Sequence, residues 1–208
     1  LEEFIDKLHP MTAEKEIYLI RHAESHANVG VKTADPAGVR LTKQGHQQAV
    51  RLAENFEHKP DLIITSPYIR TLQTAQPLLK KYPSVQHEQW PVYEFTYLCP
   101  KRCDNTTMEQ RIPWATEYWQ KCDPHYQDGD GSESFGLFVK RATKTLEKLH
   151  QIEHKRIVIF SHMLFISSLN WLKQKAPNYA MTPEAMLDFR EYLFENSVGN
   201  CQIIYYQL

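Results

Sequence analysis

Residues 19–28 read Leu19-Ile20-Arg21-His22-Ala23-Glu24-Ser25-His26-Ala27-Asn28 and follow directly on the apolar, β-prone stretch Ile17-Tyr18. A short continuous apolar run of this kind reads as a buried strand, and an Arg-His pair stands where that strand ends, ahead of a polar loop. In open α/β sheets the ligand crevice lies outside the carboxyl ends of the strands, so this segment presents an imidazole to an anion. Two later segments repeat the pattern. Residues 61–65, Asp-Leu-Ile-Ile-Thr, run into Ser66 and Arg70, and residues 156–160, Arg-Ile-Val-Ile-Phe, run into Ser161-His162. Parallel strands would bring all three polar ends to one edge. Two arginines, two histidines and hydroxyls gathered there suit a phosphate dianion, because a guanidinium fork matches its oxygens and a neutral imidazole can act as a nucleophile.

Between these segments the periodicity turns helical. Thr42 is a good N-cap, and Ala49, Leu52, Ala53 and Phe56 follow at helical spacing. Ile69, Leu72, Ala75 and Leu79 mark a second amphipathic helix, with Pro67 placed for its first turn and Pro77 inside it, where a kink or early stop is expected. Residues 84–88 read as an edge strand. Residues 95–131, rich in Pro, Asp, Trp and Tyr, read as a small insert over one end of the sheet with a helix near 108–120. Ser132 or Ser134 caps the next helix, which carries Phe135, Phe138, Ala142, Leu146 and Leu149. A helix follows His162 through Trp171, and residues 192–194 and 202–206 read as two late strands joined at Gly199-Asn200. Strands alternating with helices predict an α/β fold, a three-layer sandwich whose mostly parallel central sheet is covered by helices on both faces.

Composition narrows the function classes. The 208 residues suit a single domain over residues 11–208, with 1–10 as a lead-in. The net charge of −1 supplies no global field for nucleic acid or an anionic membrane, so anion specificity must be local. No apolar run approaches the ~20 residues of a membrane span, and no secretory signal is visible. Four scattered cysteines read as reduced thiols of a cytoplasmic protein, and neither they nor His22 and His26 at i,i+4 form a metal-ligand pattern.

Four segments in order resemble the histidine phosphatase superfamily, the phosphoglycerate mutase-like family. Arg21-His22-Ala23-Glu24-Ser25-x-x-Asn28 resembles its Arg-His-Gly-Glu-Ser/Thr-x-x-Asn signature. Leu41-Thr42-x-x-Gly45 resembles its second box, Ser66-Pro67-x-x-Arg70-Thr71-x-Gln73-Thr74-Ala75 its third, and Ser161-His162 its last; Glu133-Ser134 and Asn196-Ser197 are weaker echoes. The chain departs from the pattern at Ala23, where Gly is usual and an ordinary backbone conformation becomes necessary, and at Met163, which would narrow the pocket mouth. The resemblance implies that His22 becomes phosphohistidine, that Arg21 and Arg70 clamp the phosphoryl oxygens, that His162 stabilises the transferring group as an imidazolium, and that Ser25 and Asn28 complete the phosphate-binding set. It implies no metal and no cofactor. Glu94 is assigned as the acid that protonates the leaving group, with Glu24 and Glu88 as alternatives.

Taken singly, each of these residues has an ordinary structural explanation; it is their order that carries weight. The aromatic insert residues Trp114, Tyr118, Trp119 and Tyr126 fit a substrate lid or the packing of a helical flap, and Lys101, Arg102 and Arg111 would favour an acidic substrate if they face inward. The expected activity is hydrolysis of a small phosphomonoester. A mutase is the alternative, disfavoured because the insert lacks a paired-arginine segment and because the sequence ends at Leu208, leaving water access to the phosphohistidine; a silent phospho-ligand binder is the other.

Overall fold

The structure is a computed structural model that describes residues 15–175 and 179–208. The lead-in read at residues 1–10 lies outside the described residues. Five strands form one sheet: β1 (Glu16–Arg21), β2 (Leu62–Thr65), β3 (Gln86–Gln89), β4 (Arg156–Ser161) and β5 (Ile203–Gln207). Their order is β3-β2-β4-β1-β5, parallel throughout except for β5, which runs antiparallel to β1. Seven helices among the described residues flank it: α1 (Lys43–Asn55), α2 (Ile69–Lys81), α3 (Pro100–Cys103), α4 (Met108–Lys121), α5 (Phe135–Gln151), α6 (Met163–Lys173) and α7 (Pro183–Glu195). No helix among the described residues is long and apolar enough to cross a membrane.

The period of two along a strand sorts the core into two layers. Ile17, Leu19, Leu62, Ile64, Ile157 and Ile159 face one side, where Phe138 and Leu149 of α5, Phe165 and Trp171 of α6 and Phe189 of α7 cover them. Ile20, Ile63, Val158 and Phe160 face the other side, under Leu52 and Ala53 of α1 and Ala75 and Leu78 of α2. The central strands are therefore apolar on both faces, which is why they read as continuous runs.

Two local expectations are corrected, and of the kink or early stop expected at Pro77 only the stop is excluded. Residues 192–194 are not a strand but the last turn of α7. Thr182 caps that helix by accepting from Ala185 N (3.2 Å), Pro183 occupies its first turn, and Ala185, Met186 and Phe189 form its buried stripe. Pro67 precedes α2, whose N-cap is Tyr68. Pro77 does not stop α2, which continues to Lys81. A mid-helix proline costs about 3 kcal/mol, and burial of Thr74, Ala75 and Leu78 around it offsets that, a fully buried leucine alone contributing roughly 1.5–3 kcal/mol.

In the insert, Thr107 and Gln110 form a reciprocal capping box that starts α4. Tyr118 and Trp119 pack against Phe95 and Phe135. Arg102 lies over Trp114 and pairs with Asp128, while Lys121 lies over Tyr126. Arg111 donates to Thr33 Oγ1 and to the carbonyls of Thr33, Cys103 and Thr106. The insert's aromatics and arginines are thus spent on packing and on clasping the 31–37 loop.

Candidate active site

β2, β4 and β1 are neighbours, so the residues just past their C-terminal ends meet at one edge. His22 follows β1, Ser66 follows β2 and His162 follows β4. The His22 and His162 rings lie 5.2 Å apart, centroid to centroid. Both are almost fully buried.

His22 is oriented from its backbone outward. Its N–H donates to Ser161 O (2.9 Å) and its carbonyl accepts from Asn200 Nδ2 (2.8 Å). Its Nδ1 lies 2.8 Å from the carbonyl of Ala23. A carbonyl only accepts, so Nδ1 carries the proton and Nε2 carries the lone pair. Burial, reinforced by the Arg70 charge, holds the imidazole well below its ordinary range, so the ring is neutral near pH 7. Ala23 has no positive φ, as expected for a non-glycine residue there, and its N–H is bound by Thr74 Oγ1 (3.0 Å).

His162 is held differently. Arg70 Nη2 donates to its Nδ1 (2.9 Å); a guanidinium cannot accept, so the ring proton sits on Nε2 and is given to Ser66 Oγ (2.8 Å). Burial and Arg70 keep this ring too well below the usual histidine range. In this structure His162 is a neutral ring with both nitrogens committed, and the positive charge resides on the arginines; the imidazolium implied by the resemblance concerns the ring facing a phosphoryl group. Met163 sits in the first turn of α6 and packs against the core.

Arg70 is 8 % exposed, on the first turn of α2. Its Nη1 donates to Pro36 O (2.6 Å), and its guanidinium lies 4.9 Å from the Tyr68 ring centroid. Burial lowers its pKa to about 10, which leaves it cationic. Arg21 donates through Nη1 to Val198 O (2.6 Å), whereas its buried Nε has no partner. A buried donor without an acceptor is costly, and an oxyanion oxygen would satisfy it.

Glu94 accepts from Phe95 N (3.1 Å) and from Leu164 N (3.1 Å), in the first turn of α6, two residues after His162. Burial raises its pKa, and this outweighs the opposing pull of those N–H groups and of Arg70 and Arg21. The alternatives are occupied elsewhere. Glu24 accepts from Thr42 Oγ1 (2.6 Å). Glu88 accepts from Trp90 and Gln86 on the edge strand, and the Trp90 bond leads in lowering its pKa, the wrong direction for a proton donor.

Asn28 Oδ1 accepts from Ser25 N (3.0 Å), Ser25 Oγ (2.8 Å) and Asn200 Nδ2 (3.5 Å). The carboxamide is thereby fixed with its NH₂ turned away from these donors. Ser25 is buried and spends its hydroxyl proton on Asn28. Ser25, expected as a phosphate ligand, gives its hydroxyl proton to Asn28 Oδ1 in this structure and so orients the carboxamide. Gly45 in the second box has a steric reason. A Cβ there would lie 2.0 Å from Glu24 O, so only glycine lets α1 press against the loop after His22.

Two further residues belong to the site. Asn200 ties the β5 turn to both His22 and Asn28. Arg141 pairs in a bidentate manner with Glu133 (2.9 and 2.6 Å) and donates to Pro91 O and Tyr93 O, fixing the segment that bears Glu94. Gly199-Asn200 reads only as a turn, and Arg141 as one charge on an amphipathic helix.

The family model described as the histidine phosphatase superfamily (branch 1) matches residues 17–185. An adenosylcobalamin/alpha-ribazole phosphatase of Salmonella typhi is 28% identical over 159 residues, 74% of this chain and 76% of that protein. A mannitol-1-phosphatase of Eimeria tenella is 33% identical over 85 residues, 36% of this chain; the match spans only 28% of that protein's length. The crystal structure of the alpha-ribazole phosphatase from Shigella flexneri superposes with a TM-score of 0.70 at 21% identity, covering 91% of this chain and 89% of that one, a likeness of fold.

Proposed function

The chain belongs to the histidine phosphatase superfamily, and from that premise we propose that it hydrolyses a small phosphomonoester through a phosphohistidine on His22. The observation that supports the reading is the hydrogen bond from His22 Nδ1 to Ala23 O, which leaves an unprotonated Nε2 close to the buried Arg70 guanidinium and the half-buried Arg21 guanidinium. The relatives named as phosphatases support hydrolysis as the reaction type.

The phosphoryl oxygens take up the free Nε of Arg21, the uncommitted Nδ2 of Asn28 and, as the guanidinium turns from His162, an N–H of Arg70. The Nε2 lone pair forms a bond to phosphorus while the bond from phosphorus to the ester oxygen breaks. Glu94 gives its proton to the departing alkoxide and becomes a carboxylate. Water then attacks phosphorus, the P–N bond breaks, and Glu94 takes the proton from that water. Phosphoryl transfer asks mainly for positioning and charge stabilisation, and these residues supply both. His162, once Arg70 moves to the substrate, has Nδ1 facing the phosphoryl group, and the added negative charge favours its protonation.

The test is phosphate release from p-nitrophenyl phosphate and a panel of sugar phosphates, nucleotides and phosphopeptides, with acid-labile phosphoryl-protein trapped in the same reactions. His22→Ala is expected to abolish both release and labelling. Isomerised product in place of free phosphate would show a mutase, and tight binding without turnover, unaffected by His22→Ala, would show a binder.

A further inference from the structure

A groove of about 790 Å³ opens beside the catalytic pocket. Its near end is formed by Pro36, Tyr68 and Thr96. Each touches the site: Pro36 O accepts from Arg70, the Tyr68 ring lies 5.1 Å from that of His162, and Thr96 Oγ1 lies 3.4 Å from Tyr68 OH. The groove then runs along α5 between Tyr93, Pro91 and Trp90 on one side and Leu137, Lys140, Lys144 and Lys148 on the other. The three lysines recur every four residues, so they share one helix face over about 12 Å.

The charges on this face are not balanced locally. Arg141 is consumed by Glu133 and by two carbonyls. Lys148 lies over the Trp90 ring (3.7 Å) and 4.0 Å from Glu88. Lys140 and Lys144 are exposed, and no carboxylate lies within ion-pair distance of either among the described residues. Of the two acids that line the groove, Glu133 is neutralised by Arg141, and Asp35 caps Ala37 N (2.9 Å) at the near end. Like charges one helical turn apart repel, and here they do so along a groove with an aromatic and proline wall whose near end borders the candidate site.

We propose that this groove is a subsite for a second anionic group, a phosphate or carboxylate carried on the leaving portion of the substrate, with the intervening carbon chain lying along Leu137, Pro91 and Tyr93. The proposal rests on the phosphatase reading above and names the substrate class: elongated bis-anionic phosphomonoesters.

The experiment compares hexyl phosphate, hexane-1,6-diol bisphosphate and 6-phosphooxyhexanoate, with propane and decane homologues, in the wild type and in the double variant Lys140→Ala, Lys144→Ala. The second anion is expected to lower KM by about tenfold, a size set by two partly screened ion pairs. The double variant should erase that advantage while leaving kcat/KM for p-nitrophenyl phosphate within about twofold, and raising salt from about 50 to about 300 mM should shrink it. The phosphate and carboxylate arms show which anion the groove prefers. The proposal is overturned if no chain length gains from a second anion, or if the double variant slows p-nitrophenyl phosphate equally. Should the wild type hydrolyse nothing, the phosphatase reading fails on its own. Calorimetric titration with hexane-1,6-diol bisphosphate then decides the groove: about tenfold weaker binding by the double variant supports it, and equal binding refutes it.

Discussion

Glu94 shows how a single carboxyl is tuned by opposing influences. Two backbone N–H groups and two arginines favour its anion, yet burial prevails and its pKa rises. His22 is tuned the other way, to lose its proton early. In the proposed mechanism, Glu94 as acid and His22 as nucleophile are both in working form only when the pH lies above the histidine's lowered pKa and below the carboxyl's raised one. Glu94→Gln is therefore expected to reduce kcat roughly 10²–10⁴-fold on an alkyl phosphate, whose leaving group needs the proton. The loss should be far smaller on p-nitrophenyl phosphate, and the alkaline limb of the alkyl phosphate profile should disappear in the variant. Equal losses on both esters would remove Glu94 from the role. At this scale the convergence of His22, Arg21 and Arg70 is legible because His22 sits beside Arg21 in one motif and Arg70 lies four residues after Ser66 in another. Asn200 was not, because it acts on the backbone of His22 from 178 positions away and its own neighbourhood spells only a turn.

Elements meet the site through close backbone contacts as much as through side chains. The first turn of α1 presses so tightly on the loop after β1 that a methyl group on Gly45 would overlap Glu24 O. Gly45→Ala should gain up to about 1 kcal/mol in helix propensity. Overpacking of this kind costs about 1–3 kcal/mol, and a backbone carbonyl, unlike a flexible side chain, cannot step aside without moving the loop. The variant is expected to be less stable than wild type in urea unfolding and to have reduced kcat, because the displaced loop carries the Ala23 carbonyl that sets the tautomer of His22. A stabilised, fully active Gly45→Ala protein would contradict this account. The central strands were readable as continuous apolar runs, and α1 and α5 as periodic stripes with serine or threonine caps. The end of α7 was misread because Tyr192-Leu193-Phe194 is β-prone in isolation, while Thr182, Pro183 and the stripe through Phe189 had already committed the segment to a helix.

For the molecule as a whole, the order β3-β2-β4-β1-β5 could not be read from local pattern, since nothing in a strand's own composition says which neighbour it takes. That order makes β2, β4 and β1 adjacent, and so buries two imidazoles together at the centre of the sheet edge. The burial has a consequence for stability. His22 and His162 have folded pKa values well below their unfolded ones. Between the two values the unfolded chain binds protons that the native chain does not, so stability is complete above pH ~6.5 and is lost as the pH falls towards the folded values, by up to about 1.4 kcal/mol per pH unit for each ring. His87, lowered by burial, contributes with the same sign. Glu94, raised in the fold, works in the opposite sense: the native state takes up its proton first, which adds stability as the pH falls through its folded value. The two buried rings outnumber it. Urea unfolding of the wild type is thus expected to show stability falling steadily from pH 7 to pH 5. His162→Gln, which removes one buried imidazole, should begin lower, having lost the bonds to Arg70 and Ser66, but should decline with a slope shallower by about one proton. A wild-type profile flat over that interval, or a variant slope equal to it, would mean that these rings are not held neutral by the fold, and the lone pair on His22 Nε2 would lose its physical basis.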